Sequence, residues 1–236
     1  MPKIAKILLI AVVVLGVTVP VGTYAYIHFI EGDTPERLTF DTTTTTVAAD
    51  STQATSSTTA ATPAALNGKW VATGSSQVGY RVKEKLFGQD TEAVGRTSNV
   101  SGDLTYADLK VTAAKIVADM TTVKSDQNNR DNQFRTRIMD TSTYPTATFE
   151  LTKPITLSRV PTAEPMDVIA DGNLTLRGVT KPVTVELKIR KNGDAIEANG
   201  AIPVTFATWN IPNPSFGPAE TADNGELELL VSFRHQ

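Results

Sequence analysis

The residues best suited to catalysis are scarce and poorly grouped in this sequence. The chain has no cysteine and two histidines, His28 in an apolar segment and His235 next to the last residue. Thiolate nucleophiles, and acid–base or metal chemistry by histidine or cysteine, are therefore nearly excluded from the folded body. Asp126 and Asp131 are candidates for a carboxylate pair, but they lie in a polar segment typical of a solvated helix start. We expect no catalytic residue, no metal site, no cofactor and no enzymatic activity.

A further polar group in the same segment consists of Arg130, Asp131 and Arg135. These side chains could bind the polar head group of a ligand. Pairing between arginine and aspartate could equally fasten a helix to the rest of the fold, and we favour this second role.

The N-terminal region has the character of a membrane anchor. Residues 7–30 contain no Asp, Glu, Lys or Arg, and the run is longer than the roughly 20 apolar residues that span a bilayer. Lys3 and Lys6 precede it, so the positive-inside rule places residues 1–6 in the cytoplasm and the C-terminal domain outside. The alternative is a cleaved signal peptide, but bulky aromatic residues occupy the positions where cleavage needs small ones. We favour an uncleaved, single-pass signal anchor in the cell membrane.

Residues 31–66 are rich in Thr, Ser and Ala and predict a disordered linker with little to bury. This composition fits either an O-glycosylated stalk or an unmodified spacer. A tether of about 35 such residues reaches on the order of 30 Å and would keep the following domain near the bilayer. Residues 67–236 form that domain. The chain carries a net charge of -3 and no block of Lys or Arg, so we expect no nucleic-acid partner.

Apolar and polar residues alternate along several runs of the domain, which predicts antiparallel strands with one wet and one apolar face. In the clearest run, residues 173–190, Val183 and Val185 share the apolar face. Residues 110–123 are apolar on both faces and predict a more deeply buried strand, whereas residues 128–139 have the spacing of a short helix. Eight or so strands with one helix predict a barrel or sandwich. An eight-stranded barrel is the smallest that can admit one small ligand.

Four stretches, met in order along residues 68–234, carry a family resemblance. Residues 94–104 contain two glycines in early strands, and residues 130–135 begin with Arg-Asp. Residues 144–152 read Tyr-Pro-x-x-x-Phe, and residues 172–183 read Gly-x-Leu-Thr-x-x-Gly-Val-Thr-Lys-Pro. Together they resemble the YceI-like, polyisoprenoid-binding family. The resemblance implies an all-β, lipocalin-like, eight-stranded antiparallel barrel that encloses a long isoprenoid or other amphiphilic chain.

The sequence departs from the family pattern in two places. Many members carry Asp-x-x-His-Ser before the first long strand, whereas residues 73–80 contain no histidine, and residues 209–222 form a Pro-rich loop. Both departures bear on the ligand more than on the fold. Trp209 and Phe216, in that loop, could line the mouth of a cavity or only anchor the loop.

The apolar face of the 173–190 hairpin is expected to line part of the cavity, with Val183 and Leu187 on that face. The predicted ligand-binding residues are Val78, Tyr80, Val82, Leu104, Phe134, Phe149, Leu174, Leu176, Val185, Phe206, Trp209, Phe216 and Phe233.

Three functions compete. The first is a membrane-anchored, extracytoplasmic binding protein for a polyisoprenoid or similar long-chain lipid, with the membrane and the lipid as partners. The second is an adhesion or assembly module that uses the outer barrel surface around a filled core. The third, which we disfavour, is a carboxylate-dependent enzyme acting on a hydrophobic substrate.

Overall fold

The computed structural model describes residues 34–40, 66–217 and 219–236. The predicted membrane segment at 7–30 lies outside these ranges, together with residues 1–6 and most of the predicted linker. Within the described part of the chain, no helix is both long enough and apolar enough to cross a bilayer. The anchor and its orientation therefore stay predictions from the sequence.

In the described ranges, twelve strands form one antiparallel sheet. Short 3₁₀ turns, Met120–Thr122 and Phe206–Trp209, interrupt the strand order. The strands are β1 (Gly68–Ala72), β2 (Gln77–Leu86), β3 (Gln89–Thr97), β4 (Val100–Ala107), β5 (Lys110–Asp119), β6 (Thr146–Leu151), β7 (Ile155–Thr156), β8 (Met166–Leu176), β9 (Val179–Asn192), β10 (Ala195–Thr205), β11 (Ala219–Thr221) and β12 (Asn224–His235).

Eight of these strands close into a barrel in the order β1-β4-β5-β6-β8-β9-β10-β12, and β1 pairs with β12 to complete the ring. Only the last part of β12 pairs with β1, where Trp70 lies opposite His235. The earlier part of β12 pairs with β2, which continues the wall into β3 and β11. The prediction of an all-β, eight-stranded antiparallel barrel is confirmed.

One short helix packs at one end of the barrel. Helix α1 (Asn128–Gln133) continues into a π-helical turn, Phe134–Ile138, in which the Met139 N–H donates to the Phe134 carbonyl. Asp131 is buried and accepts hydrogen bonds from the backbone N–H and the hydroxyl of Ser125, both at 2.7 Å. The single helix predicted over 128–139 is confirmed. Ser125, just before the helix, anchors its first turn through the hydrogen bonds to Asp131.

The β8–β9 hairpin shows the predicted alternation and a turn that depends on glycine. Leu176 pairs with Val179 across a two-residue turn whose φ angles are 46° at Arg177 and 73° at Gly178. These positive values define a type I′ turn, which matches the right-handed twist of the strands. A Cβ at Gly178 would lie 2.5 Å from a ring carbon of Tyr144. The turn therefore needs glycine for both its backbone angle and its close approach to Tyr144.

The prediction of a deeply buried strand within 110–123 is wrong. On β5, Lys110, Ala113 and Lys115 are exposed to solvent. Thr105 of β4 pairs with Ala113 and Tyr106 pairs with Val111, so Thr112 is an extra residue in a β-bulge. A bulge shifts the alternation of side chains by one residue. The apolar residues of this run therefore fall on both faces of a strand that is assumed to be regular.

Residues 34–40, which we call the strap, lie against the outside of the barrel over β2, β12, β10 and β9. Leu38 and Phe40 are buried and form a small cluster with Leu230. Prediction of a disordered linker is wrong for these residues, because their apolar side chains and backbone carbonyls meet partners on strands far away in sequence. Leu66 is buried as well, and its carbonyl accepts a hydrogen bond from the Trp70 indole at 2.9 Å.

Candidate functional site

The barrel encloses an apolar inner cavity of about 160 Å³. Its walls come from nearly every strand of the ring and from β2. A cavity of this size lined by aliphatic and aromatic side chains favours an apolar occupant over water. The predicted ligand-binding residues that line this inner cavity are Val78, Tyr80, Leu104, Phe149, Leu174, Val185 and Phe233, together with Leu187 of the hairpin face.

Small side chains at inward positions leave this space open. Ala118 of β5 pairs with Ala147 of β6, and both line the inner cavity with Ala114, Ala170 and Ala198. Because protein interiors are normally close-packed, side chains that end at Cβ on neighbouring strands leave a void that larger residues would fill. The candidate ligand-binding residues predicted from the sequence are large apolar ones and include none of these alanines, although their inward positions on alternating strands were a usable signal.

A wider outer cavity of about 790 Å³ opens at the end of the barrel that carries helix α1. Its volume lies within the range of pockets that bind small molecules. Polar side chains of the helix segment, including Gln127, Asn129 and Asn132, lie along its edge. The predicted residues that line the outer cavity are Tyr80, Val82, Phe134, Leu176, Phe206 and Phe216.

The two cavities meet at shared walls formed by Tyr80, Met120 and Leu227. At this junction the rings of Tyr80 and Phe134 stack with centroids 5.1 Å apart and an interplanar angle of 17°. Burial raises the pKa of the Tyr80 hydroxyl well above its usual value, although Arg130 opposes the shift, so the group stays neutral. A ligand that occupied both cavities would pass this uncharged aromatic pair.

Trp209 and Phe216, two predicted ligand-binding residues of the loop after β10, lie in different environments. Trp209 lines neither cavity: it is 4% exposed within the core, and its indole N–H lies 3.4 Å from the Leu174 carbonyl oxygen. The structure therefore does not place Trp209 on a cavity wall, because the turn at 206–209 directs the indole toward the Leu174 carbonyl of β8. Phe216 borders the mouth of the outer cavity and is 65% exposed. Val183 packs on the core without lining either cavity.

Arg130 fastens the helix segment through Glu84 and Asp126. Its guanidinium lies 3.2 Å from Glu84 Oε1 of β2 and also pairs with Asp126, whereas Asp131 is bound to Ser125. Burial raises the pKa of Glu84, and the charge of Arg130 opposes this shift. Arg130 also lines the outer cavity, while Arg135 lies outside both cavities. In the described ranges, no cluster of three or more acidic or imidazole side chains could hold a metal ion.

Comparison with known proteins agrees with this architecture. The profile of the YceI-like domain matches residues 70–233. The chain is 38% identical over 146 residues to a UPF0312 protein of Shewanella baltica, covering 58% of this chain and 72% of that protein. It is 32% identical over 149 residues to Protein YceI of Salmonella arizonae, covering 58% and 71%.

Two solved structures share the fold. A polyisoprenoid binding domain from Saccharophagus degradans, implicated in plant cell wall breakdown, aligns with a TM-score of 0.58 at 16% identity, over 72% of this chain and 99% of that one. BcnA of Burkholderia cenocepacia aligns with a TM-score of 0.53 at 20% identity, over 66% and 95%. The domain match over most of the barrel, the two relatives and the shared fold agree, and the chain belongs to the YceI-like family.

Proposed function

We propose that this protein is a membrane-anchored binding protein that holds a polyisoprenoid or a similar long-chain amphiphilic lipid in its barrel, outside the cytoplasm. The observation that carries the proposal is an apolar inner cavity next to a wider outer cavity, with Tyr80, Met120 and Leu227 lining both. In this proposal the protein is a carrier or receptor for lipid, with no catalytic role and no cofactor.

The shape of the interior matches an amphiphile with one long tail. Each methylene group that leaves water for an apolar cavity contributes about 0.8 kcal/mol, so the tail gains most in the inner cavity. The polar edge of the outer cavity, with Asn129 and Asn132, can face a head group. The name of the Saccharophagus degradans domain, a polyisoprenoid binding domain, supports the same class of ligand for this fold.

Native mass spectrometry of the full chain, extracted in mild detergent from its own membranes, tests the proposal. A retained mass that dissociates as a long-chain lipid is the expected result, and fragmentation then identifies chain length and head group. An apo mass accompanied by a partner protein would instead support adhesion or assembly. An apo mass that stays unchanged after addition of polyprenyl lipids would refute lipid binding.

A further inference from the structure

The strap changes the length of the connection between the predicted anchor and the barrel. The Pro35 carbonyl accepts a hydrogen bond of 2.7 Å from the Arg81 guanidinium. Three residues, 31–33, separate the strap from the end of the uncharged segment at residue 30. Four Cα–Cα steps span at most about 15 Å. Chain connectivity alone therefore limits the separation between residues 30 and 34 to this distance, and in the sequence residues 41–65 follow the strap.

The strap runs along β12 in a direction that can be read from its contacts. Arg37 pairs with Glu226, near the start of β12, at 2.5 Å. Further along, the Phe40 carbonyl accepts a hydrogen bond of 2.9 Å from Arg190, which is bound to Glu197 on β10. Glu197 pairs with the later part of β12. Followed backwards from Phe40, the chain therefore heads toward the end of the barrel at which β12 begins.

That end of the barrel holds the outer cavity and an exposed aromatic rim. Phe87, in the β2–β3 turn, is 57% exposed and Phe216 is 65% exposed. Both flank the pairing of Leu86 with Ala219 beside the outer cavity. Five residue steps along β2 lead from Arg81 to Leu86, a rise of about 17 Å. Chain connectivity therefore allows the end of the uncharged segment to come within a few ångströms of the height of the rim along the barrel axis.

We propose that the rim of Phe87 and Phe216 inserts into the surface of the lipid bilayer, with the strap holding the outer cavity toward the membrane. Large apolar side chains gain from burial at the boundary between head groups and acyl chains. In this arrangement a lipid passes between bilayer and cavity without exposing its tail to water. The inference rests on the proposed membrane anchoring and lipid binding.

Tryptophan depth probes test the insertion. The full-length variants Phe216→Trp and Ile169→Trp are reconstituted in phosphatidylcholine vesicles with and without brominated acyl chains. Ile169 is the matched control, because it is 63% exposed on the side of the barrel, in β8. We expect brominated lipid to quench the added emission of Phe216→Trp and to leave Ile169→Trp at the background of buried Trp70 and Trp209. Equal quenching of both variants, or of neither, would overturn the insertion.

The amount of lipid bound to the protein, measured in the same samples, separates the lipid-binding function from the insertion of the rim into the membrane. Bound lipid without quenching at residue 216 would refute the membrane-facing rim and leave the lipid-binding function standing. Absence of bound lipid would refute the function itself, and failure of the full chain to float with vesicles would refute the anchor and the inference together.

Two further variants test the orienting role of the strap. Leu38→Ser combined with Phe40→Ser removes its apolar contacts, and a flexible Gly-Ser segment inserted between residues 33 and 34 lengthens the tether while leaving the strap intact. Both should still float with vesicles and show a reduced quenching of Phe216→Trp. Quenching as strong as in the parent, with either change, would show that the strap does not orient the barrel.

Discussion

The ring of Phe134, on the π-helical turn, stacks on the ring of Tyr80, on β2, where the inner and outer cavities meet. The pair joins a helix segment to the barrel wall, and Tyr80 is one of the three residues that line both cavities. A ligand that extended from one cavity into the other would have to pass this contact.

Replacement of Phe134 by alanine should widen this junction. Removal of a buried phenylalanine ring costs about 3 kcal/mol or more, so chemical denaturation should show a lower free energy of unfolding. Transfer of bound lipid from the protein to acceptor vesicles should become faster. Tyr80→Phe is the control, since it keeps the stacked ring and removes only the hydroxyl. Equal transfer rates in wild type and Phe134→Ala would show that the pair does not limit the passage.

A larger side chain at Ala118 should fill the inner cavity. Ala118→Leu places three more carbons where the inward face of β5 borders the cavity, so we expect a folded protein that retains less lipid. Ala113→Leu adds the same atoms on the exposed face of the same strand. Lipid per protein, measured by mass spectrometry, should fall only for Ala118→Leu. If both variants keep the lipid content of wild type, the tail does not occupy the inner cavity.

The β8–β9 turn should tolerate no side chain at Gly178. Gly178→Ala combines a φ of 73° with a Cβ 2.5 Å from the Tyr144 ring, and the left-handed backbone alone costs about 1–2 kcal/mol. Gly193→Ala is the matched control, with a φ of 56° and no atom within 4 Å of its Cβ. Thermal unfolding should show the larger loss for Gly178→Ala. Equal losses would mean that Tyr144 moves aside without cost.

Acid should weaken the ion pairs beneath the strap. Burial by itself would raise the pKa of Glu228, but hydrogen bonds from Arg81 and Arg96 outweigh it and hold this pKa below 4.5. A carboxylate whose pKa is lowered in the folded state stabilises the fold above its ordinary pKa, and this contribution is lost as pH falls through the folded value. The melting temperature of wild type should therefore fall below about pH 4.5.

The variant Glu228→Gln isolates this contribution. It leaves two buried or half-buried arginines without their shared carboxylate, so it should cost about 3 kcal/mol at neutral pH. The difference in melting temperature between wild type and variant should shrink as pH falls toward 3, because wild type loses the same charge. Glu84 titrates in both proteins and cancels in the comparison. A difference that stays constant from pH 7 to 3 would contradict the assignment.

Local patterns were sufficient for several strands and for the helix of this protein. The alternation of Val183, Val185 and Leu187 predicted a strand with one inward face, and the spacing over 128–139 predicted the helix, because both periods are set by backbone geometry. The four ordered motifs identified the family. The eight-stranded barrel followed from that resemblance, whereas alternation alone left barrel and sandwich open.

Contacts between residues far apart in the sequence decided the interaction partners and the cavities, which no local sequence pattern contains. Arg130 donates a hydrogen bond to Glu84, 46 positions away in the sequence, and Arg190 donates one to the Phe40 carbonyl, 150 positions away. The direction of the Trp209 indole and the void left by Ala118 and Ala147 likewise depend on which elements lie opposite. The sequence by itself determined the strands, the helix and the family. Only the tertiary structure decided the partners, the cavities and the course of the strap, because those depend on surfaces that meet when the barrel closes.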